Sequence, residues 1–171
     1  MQDKEIIFFD SEFTNLNPYI GEILSIGMVK ENGEKLYIEL DCSAECSDWV
    51  KNNILPTLGK EKVSREEAVR MIIDFVGKDK PIMIANVNQY DTIYLYKLFN
   101  GPETPFFWVP IDFASILFEK GYEPEDYINR GRIFKEFGID INRYNQHNAL
   151  DDAELLRETY LALKKKMNLP E

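Results

Sequence analysis

The stretch Ile6-Ile7-Phe8-Phe9-Asp10-Ser11-Glu12-Phe13-Thr14-Asn15-Leu16 decides how the chain is read. A continuous apolar run ends on Asp10, and Glu12 follows two residues later. Side chains along a strand alternate faces with a period of two, so Asp10 and Glu12 leave the strand on the same side. Two adjacent carboxylates repel each other and lose hydration, which is unfavourable unless a positive charge stands between them. An oxygen-rich pair of this kind suits hard cations such as Mg²⁺ or Mn²⁺. A solvated strand end carries the same letters, so the pair gains chemical meaning only from partners downstream.

Working outward, Asn15-Leu16-Asn17-Pro18 breaks the run. Residues 22–30 read as a second strand and 35–40 as a third, the latter with alternating Leu36, Ile38 and Leu40. Asn32-Gly33 between them is a hairpin signal, because both residues tolerate the left-handed backbone that a tight hairpin requires. The short link from the first strand makes the three an antiparallel meander. Residues 41–63 carry no clear period, apart from a short helix over 48–53 expected to tuck Trp49 and Val50 inward. Ser64-x-x-Glu67 has the form of a capping box, with Ala68, Val69, Ile72, Ile73 and Val76 at helical spacing behind it. Pro81 to Ala85 reads as a fourth strand. Tyr90 to Phe99 reads as a helix closed by Asn100-Gly101. A fifth strand is expected over 106–111, and Asp112 can cap a helix running to about Lys120. Gly121 to Gly138 gives no readable pattern. Ala149, Ala153, Leu156, Tyr160 and Leu163 form one apolar stripe of a final helix, whose end carries Lys164-Lys165-Lys166 and is followed by Pro170.

This order implies an α/β fold: a mixed five-stranded sheet, in which an antiparallel meander is joined by two strands parallel to the first, with helices on both faces. Sites in such sheets gather at the carboxyl ends of the parallel strands, where Asp10 and Glu12 lie. At 171 residues the chain is expected to be a single domain over 1–171. No apolar stretch approaches the roughly 18 residues of a membrane span, and Met1 to Glu5 lacks the basic flank of a signal peptide. A cytoplasmic location is therefore expected. Cys42 and Cys46 have no second cysteine pair beside them, and His147 is the only histidine, which argues against zinc and for free thiols. The net charge of −10 argues against a nonspecific duplex binder but not against a metal-dependent enzyme acting on short strands.

Two further places supply candidate partners. Asp91 stands just past the fourth strand at the start of a helix, where it is either a first-turn acid favoured by the helix dipole or an overhang above Asp10. His147 and Asp152 lie five residues apart, about 140° around a regular helix. They can share a site only if His147 sits in the loop ahead of the helix with Asn148 as its cap. Otherwise Asp151 and Asp152 simply compensate the dipole.

Asp10-x-Glu12 ending a first strand, Tyr90-Asp91 opening a middle helix and His147-x4-Asp152 within "HNALDDA" together resemble the three signatures of DEDDh-type 3′→5′ exonucleases. These are DnaQ-like members of the ribonuclease H-like superfamily. The resemblance spans roughly residues 5–163, and "FFDSEFT", "YDTIYLYKLF" and "HNALDDA" look most similar to the small bacterial 3′→5′ exoribonucleases of that group. It implies that Asp10, Glu12 and Asp152 hold one divalent ion, that Asp10 bridges to a second, that Asp91 completes the cluster, and that His147 is the general base. Two ions about 4 Å apart can activate a water, relieve charge on phosphorus and stabilise the leaving oxygen. An imidazole with an ordinary pKa near 6.5 is well matched to proton transfer at neutral pH.

By position, the resemblance also places Leu16 as a wedge against the terminal base and Thr14 near the terminal sugar. Phe13 and Tyr90 are either stacking platforms or core, and core is favoured for Tyr90. The sequence departs from its relatives in two places. Phe13-Thr14-Asn15-Leu16 replaces Thr-Thr-Gly-Leu, and Asn86-Val87 stands where His-Asn is common. Arg130, Arg132 and Arg143 are candidate phosphate contacts or a solvated face. The implied partner is the 3′ end of a single strand, RNA ahead of DNA. A proofreading DNA exonuclease is the rival in the same class, and the short tail after the last helix favours a free-standing enzyme. An inactive ribonuclease H-like binding module is the rival in another class, and the presence of every acid and the histidine argues against it. Homodimerisation, seen in many relatives, is left open by the sequence.

Overall fold

The computed structural model describes residues 4–167. Met1 to Asp3 and the Pro170 expected beyond the last helix lie outside the described residues. The meander forms as expected: β1 (Ile6–Phe13), β2 (Ile23–Lys30) and β3 (Lys35–Leu40) pair antiparallel in sequence order. Gly33 takes a φ of 94° in the hairpin, a conformation that costs a residue without Cβ little. Helix α1 (Asp48–Asn53) follows.

The sheet has six strands rather than five, ordered β4-β3-β2-β1-β5-β6. The additional strand, β4 (Lys62–Val63), lies parallel to β3 in the stretch that shows no period, and two residues are too few to display one. Helix α2 (Arg65–Val76) comes next, and then β5 (Ile82–Ala85), parallel to β1 with Phe8 opposite Ile84. The strand expected over 106–111 is confined to β6 (Ile111–Asp112), which pairs parallel with β5. Pro110 has no N–H to give a ladder, and upstream of it the chain touches the sheet only locally, the Phe107 N–H donating to the Pro81 carbonyl at 2.8 Å.

Alternation along β1 divides the core. Ile7, Phe9 and Phe13 face a cluster shared with α2 and with α3 (Gln89–Phe99). Phe8 faces the opposite cluster, built with α4 (Phe113–Glu119), α5 (Pro124–Ile128), α6 (Arg132–Phe137) and α7 (Ala149–Lys166). Asp10 and Glu12 share the parity of Phe8 and so emerge beneath α7. Helices thus cover both faces, and the unreadable segment from 121 to 138 is two helices of five and six residues, too short to reveal a period.

Most helix starts follow their sequence signals. The side chains of Ser47, Ser64, Asp112 and Asn148 each accept a hydrogen bond from a backbone N–H of the first turn. The capping box at Ser64 is half formed, because Glu67 pairs with Arg70 instead of returning to the cap. No helix among the described residues is long and apolar enough to cross a membrane.

Candidate active site

The site begins where β1 leaves the sheet. Asp10 pairs in register with Gly27 of β2, and a register shift follows between Glu12 and Phe13. Glu12 is buried and Asp10 half-buried. Between them Ser11 points to the other face, where its hydroxyl donates to Asp91 Oδ1 at 2.6 Å. That bond ties the first turn of α3 to the strand end.

The third element is α7. Asn148 caps it, which leaves His147 in the preceding loop with a φ of 62°. Two hydrogen bonds hold this loop: the His147 N–H donates to Asp152 Oδ2 at 2.9 Å, and the Thr57 hydroxyl donates to the His147 carbonyl at 2.8 Å. One ligand atom each from Glu12, His147 and Asp152 lie within 4.8 Å of one another.

Electrostatics show what the cluster lacks. Burial, then Asp91, Asp152 and Glu12, push the Asp10 carboxyl well above the usual carboxylate range. Burial, Asp152 and Asp91 push Glu12 up to about 8. Burial raises Asp91 to about 7 against the opposing Ser11 hydrogen bond. Asp152 is also raised by burial, with Arg130 opposing. Four carboxyls therefore compete for too little positive charge, and among the described residues only Asp152 has an ion pair, with Arg130 at 2.9 Å. Oxygen donors at such density, beside an imidazole, fit hard divalent cations. The imidazole of His147 is held below its ordinary pKa by burial, Asp152 opposing and Arg130 reinforcing that effect. That shift favours the neutral ring, the form that can accept a proton.

A groove of about 470 Å³ runs from Glu12 past Leu16 to Trp49. Leu16 is 62% exposed on its wall. Thr14, by contrast, is fully buried, and its hydroxyl accepts the Glu22 N–H at 3.0 Å, so it presents nothing to the groove. Phe13 lies stacked on Tyr94 with centroids 4.0 Å apart, which commits one face of its ring to the core. Tyr90 packs, partly buried, against that same cluster. Arg132 pairs with Asp126, and Arg143 with Glu158, away from the cluster.

The inward placement expected of Trp49 is corrected: it is 53% exposed and meets the His147 ring edge-on at 5.0 Å. Neighbouring residues on a helix point about 100° apart, so a six-residue helix that buries Val50 turns Trp49 outward. Gly27 also escapes a reading by motif. A Cβ there would stand under 3.0 Å from backbone atoms of Ala149 and Leu150, so its bareness lets α7 settle over Asp10. A glycine within a buried strand is itself the signal for such an approach.

Three non-glycine residues around the site, Val87, Arg130 and His147, hold φ values of 57°, 50° and 62°. A left-handed β-branched residue is the costliest of these. Val87 occupies one of the two positions where relatives carry His-Asn, and Asn tolerates this conformation. Val87→Asn is therefore expected to stabilise the fold by about 1 kcal/mol, raising Tm by roughly 2–4 °C. A lowered Tm in thermal melts would show that the valine carries no strain.

The fold is thus a mixed sheet of this order, with acids at the carboxyl end of its first strand and helices on both faces. Solved structures of exonuclease I share it. One, described as suggesting how processivity is achieved, matches with a TM-score of 0.73 at 14% identity, over 95% of this chain and 41% of that one. The zinc-bound complex of the E. coli enzyme with single-stranded DNA gives 0.75 at 13%, over 97% and 42%. Its complex with a dT13 oligonucleotide gives 0.70 at 14%, over 95% and 41%. The chain thus spans about two-fifths of the length of these structures, and what it shares with them is the fold. No protein-family model and no curated protein matches the sequence.

Proposed function

We propose that the chain is a divalent-metal-dependent 3′→5′ exonuclease that releases nucleoside monophosphates from the end of a single strand. One observation carries this reading: one ligand atom each from Glu12, His147 and Asp152 lie within 4.8 Å of one another, and the charges of Asp91, Asp152 and Glu12 all bear on Asp10. Asp10, Glu12 and Asp152 would hold two ions, Mg²⁺ or Mn²⁺, with Asp91 behind them. Such ions, when bound, polarise a phosphodiester and yield a nucleophile from water at neutral pH.

The chain's own groups do the rest. His147, neutral and held by its backbone bonds to Asp152 and Thr57, accepts the proton of the attacking water. Leu16 and Trp49, on the walls of the groove beside Glu12, are placed to receive the terminal base, because an exposed indole stacks on any base. Phe13 lines the same groove with one face of its ring against Tyr94, and Thr14 holds the strand end through the Glu22 N–H. The similarity of "FFDSEFT" and "HNALDDA" to exoribonucleases favours RNA, while the single-stranded DNA in the E. coli exonuclease I complexes favours a second reading, DNA 3′ ends.

Labelled single-stranded RNA, single-stranded DNA and 3′-overhang duplex, each incubated with Mg²⁺ or Mn²⁺, distinguish these substrates. Stepwise loss of mononucleotides from the 3′ end, stopped by a chelator, is the expected result. Internal cleavage, or no cleavage of any strand, would overturn the proposal. His147→Ala should lower kcat by about 10² or more through loss of the base, with Tm close to wild type because the ring is half-buried against an exposed Trp49 and the loop is tethered through the His147 backbone. Turnover near wild type would remove the histidine from the mechanism.

A further inference from the structure

Arg130 is the one cation that touches the acid cluster among the described residues. It stands between α5 and α6 with a left-handed φ of 50°, a conformation an arginine adopts at some cost. Its guanidinium is mostly buried, with 15% of the side chain exposed, and reaches three acceptors. Nη2 donates to Asp152 Oδ1 at 2.9 Å, and Nη1 donates to the carbonyls of Tyr144 at 2.7 Å and Ile141 at 3.4 Å. The same side chain lines a cavity of about 140 Å³ together with Asp10, Asn86, His147 and Asp152.

Each feature has a consequence. The two carbonyls fix the planar fork, so the charge cannot swing away as a flexible lysine would. Both Asp152 oxygens then have a donor, Oδ1 from Arg130 and Oδ2 from the His147 N–H. The aspartate is thereby locked in orientation before any ion arrives. A fixed positive charge beside a cation site also repels whatever cation the carboxylates attract, and more strongly the more both groups are buried.

We propose that Arg130 is the resident counter-ion of the acid cluster: it positions Asp152 in the metal-free protein and weakens the grip of the site on divalent cations. The inference rests on the metal-dependent reading given above and deepens it, by naming the residue that sets ion affinity. Such a residue keeps ions exchangeable where four carboxylates alone would hold them tightly.

The test measures Mn²⁺ binding itself, by calorimetry and by the free-ion signal in electron paramagnetic resonance, on the wild type, Arg130→Gln and Arg130→Lys. In Arg130→Gln the tightest Mn²⁺ site should bind about tenfold more strongly or better, the loss of one nearby charge, while the metal-free Tm falls. Arg130→Lys keeps the charge but not the fork and should bind Mn²⁺ with an affinity between those of wild type and Arg130→Gln. Equal or weaker binding in a folded Arg130→Gln, or tightening in both variants alike, would overturn the counter-ion role. Should Arg130→Gln fail to fold, the wild type still decides: its Arg130 side-chain ¹⁵N resonances should shift as Mg²⁺ is titrated in, and no shift at saturation rejects the proposal. Absence of Mn²⁺ binding in every protein would instead sink the metal-dependent reading, and the inference with it.

Discussion

Asp10→Asn is expected to abolish strand cleavage, by about 10³-fold or more, and at the same time to make the metal-free protein more stable than the wild type. Both effects have one cause. Asp10 lies where burial and three neighbouring carboxyls oppose its charge, so the group that would hold the cations is an electrostatic burden without them. The pH dependence follows in sign. Glu12 and Asp91 are raised to about 8 and about 7 in the folded protein, above the ordinary carboxylate values of an unfolded chain. Between those values the folded state binds more protons than the unfolded one, so stability falls as pH rises from the acid range through about 8. Melts in chelator at pH 5, 7 and 9 should show that fall in the wild type and a smaller one in Asp10→Asn. The gap between the two proteins should widen toward pH 9. Saturating Mg²⁺ should restore much of the wild-type loss, since a ligand that binds only the folded state stabilises it by mass action. A variant less stable than wild type throughout would mean that the acid is a structural support.

Gly27→Ala is expected to be the most damaging single methyl in the sheet. Its Cβ would press on the backbone of Ala149 and Leu150, and backbone cannot step aside as a flexible side chain can. Overpacking of this kind costs about 3 kcal/mol, or roughly 6–12 °C in Tm. The first turn of α7 would have to lift from β2, carrying Asp152 away from Asp10. A misplacement near 1 Å can cost about 10²-fold in rate, so kcat should fall well below what the remaining folded fraction explains. Tm and kcat measured together at a temperature where the variant is folded provide the check. A wild-type Tm would show that α7 does not rest on Gly27.

The legible parts of the fold are those whose physics is local. The hairpin at Asn32-Gly33, the caps at Ser64, Asp112 and Asn148, and the apolar stripe of α7 each need only a few consecutive residues, and the structure has all of them. Strand β4 and helices α5 and α6 are not legible: two residues show no alternation, and the two short helices lack the side-chain cap that Ser47 gives α1. At the site, spacing indicates that Asp10 and Glu12 share a face and that His147 must precede the helix. Register and crossover then bring Asp152 close to Glu12 and set Asp91 against Ser11, which stands between the two acids of β1. The counter-ion Arg130 is held by carbonyls of Ile141 and Tyr144, a contact made by tertiary folding that no short-range pattern encodes. The facing of Trp49 is not legible because an indole reads as core, and only the burial of its neighbour Val50 determines which way it faces.

The most direct measurement is anomalous diffraction at the manganese edge from crystals soaked in Mn²⁺. Peaks within coordinating distance of carboxylate oxygens of Asp10, Glu12 and Asp152, lost in Asp10→Asn, are the result expected. A map with no peak among those oxygens, at an ion concentration that saturates any observed cleavage, would contradict the metal-centred reading of the site.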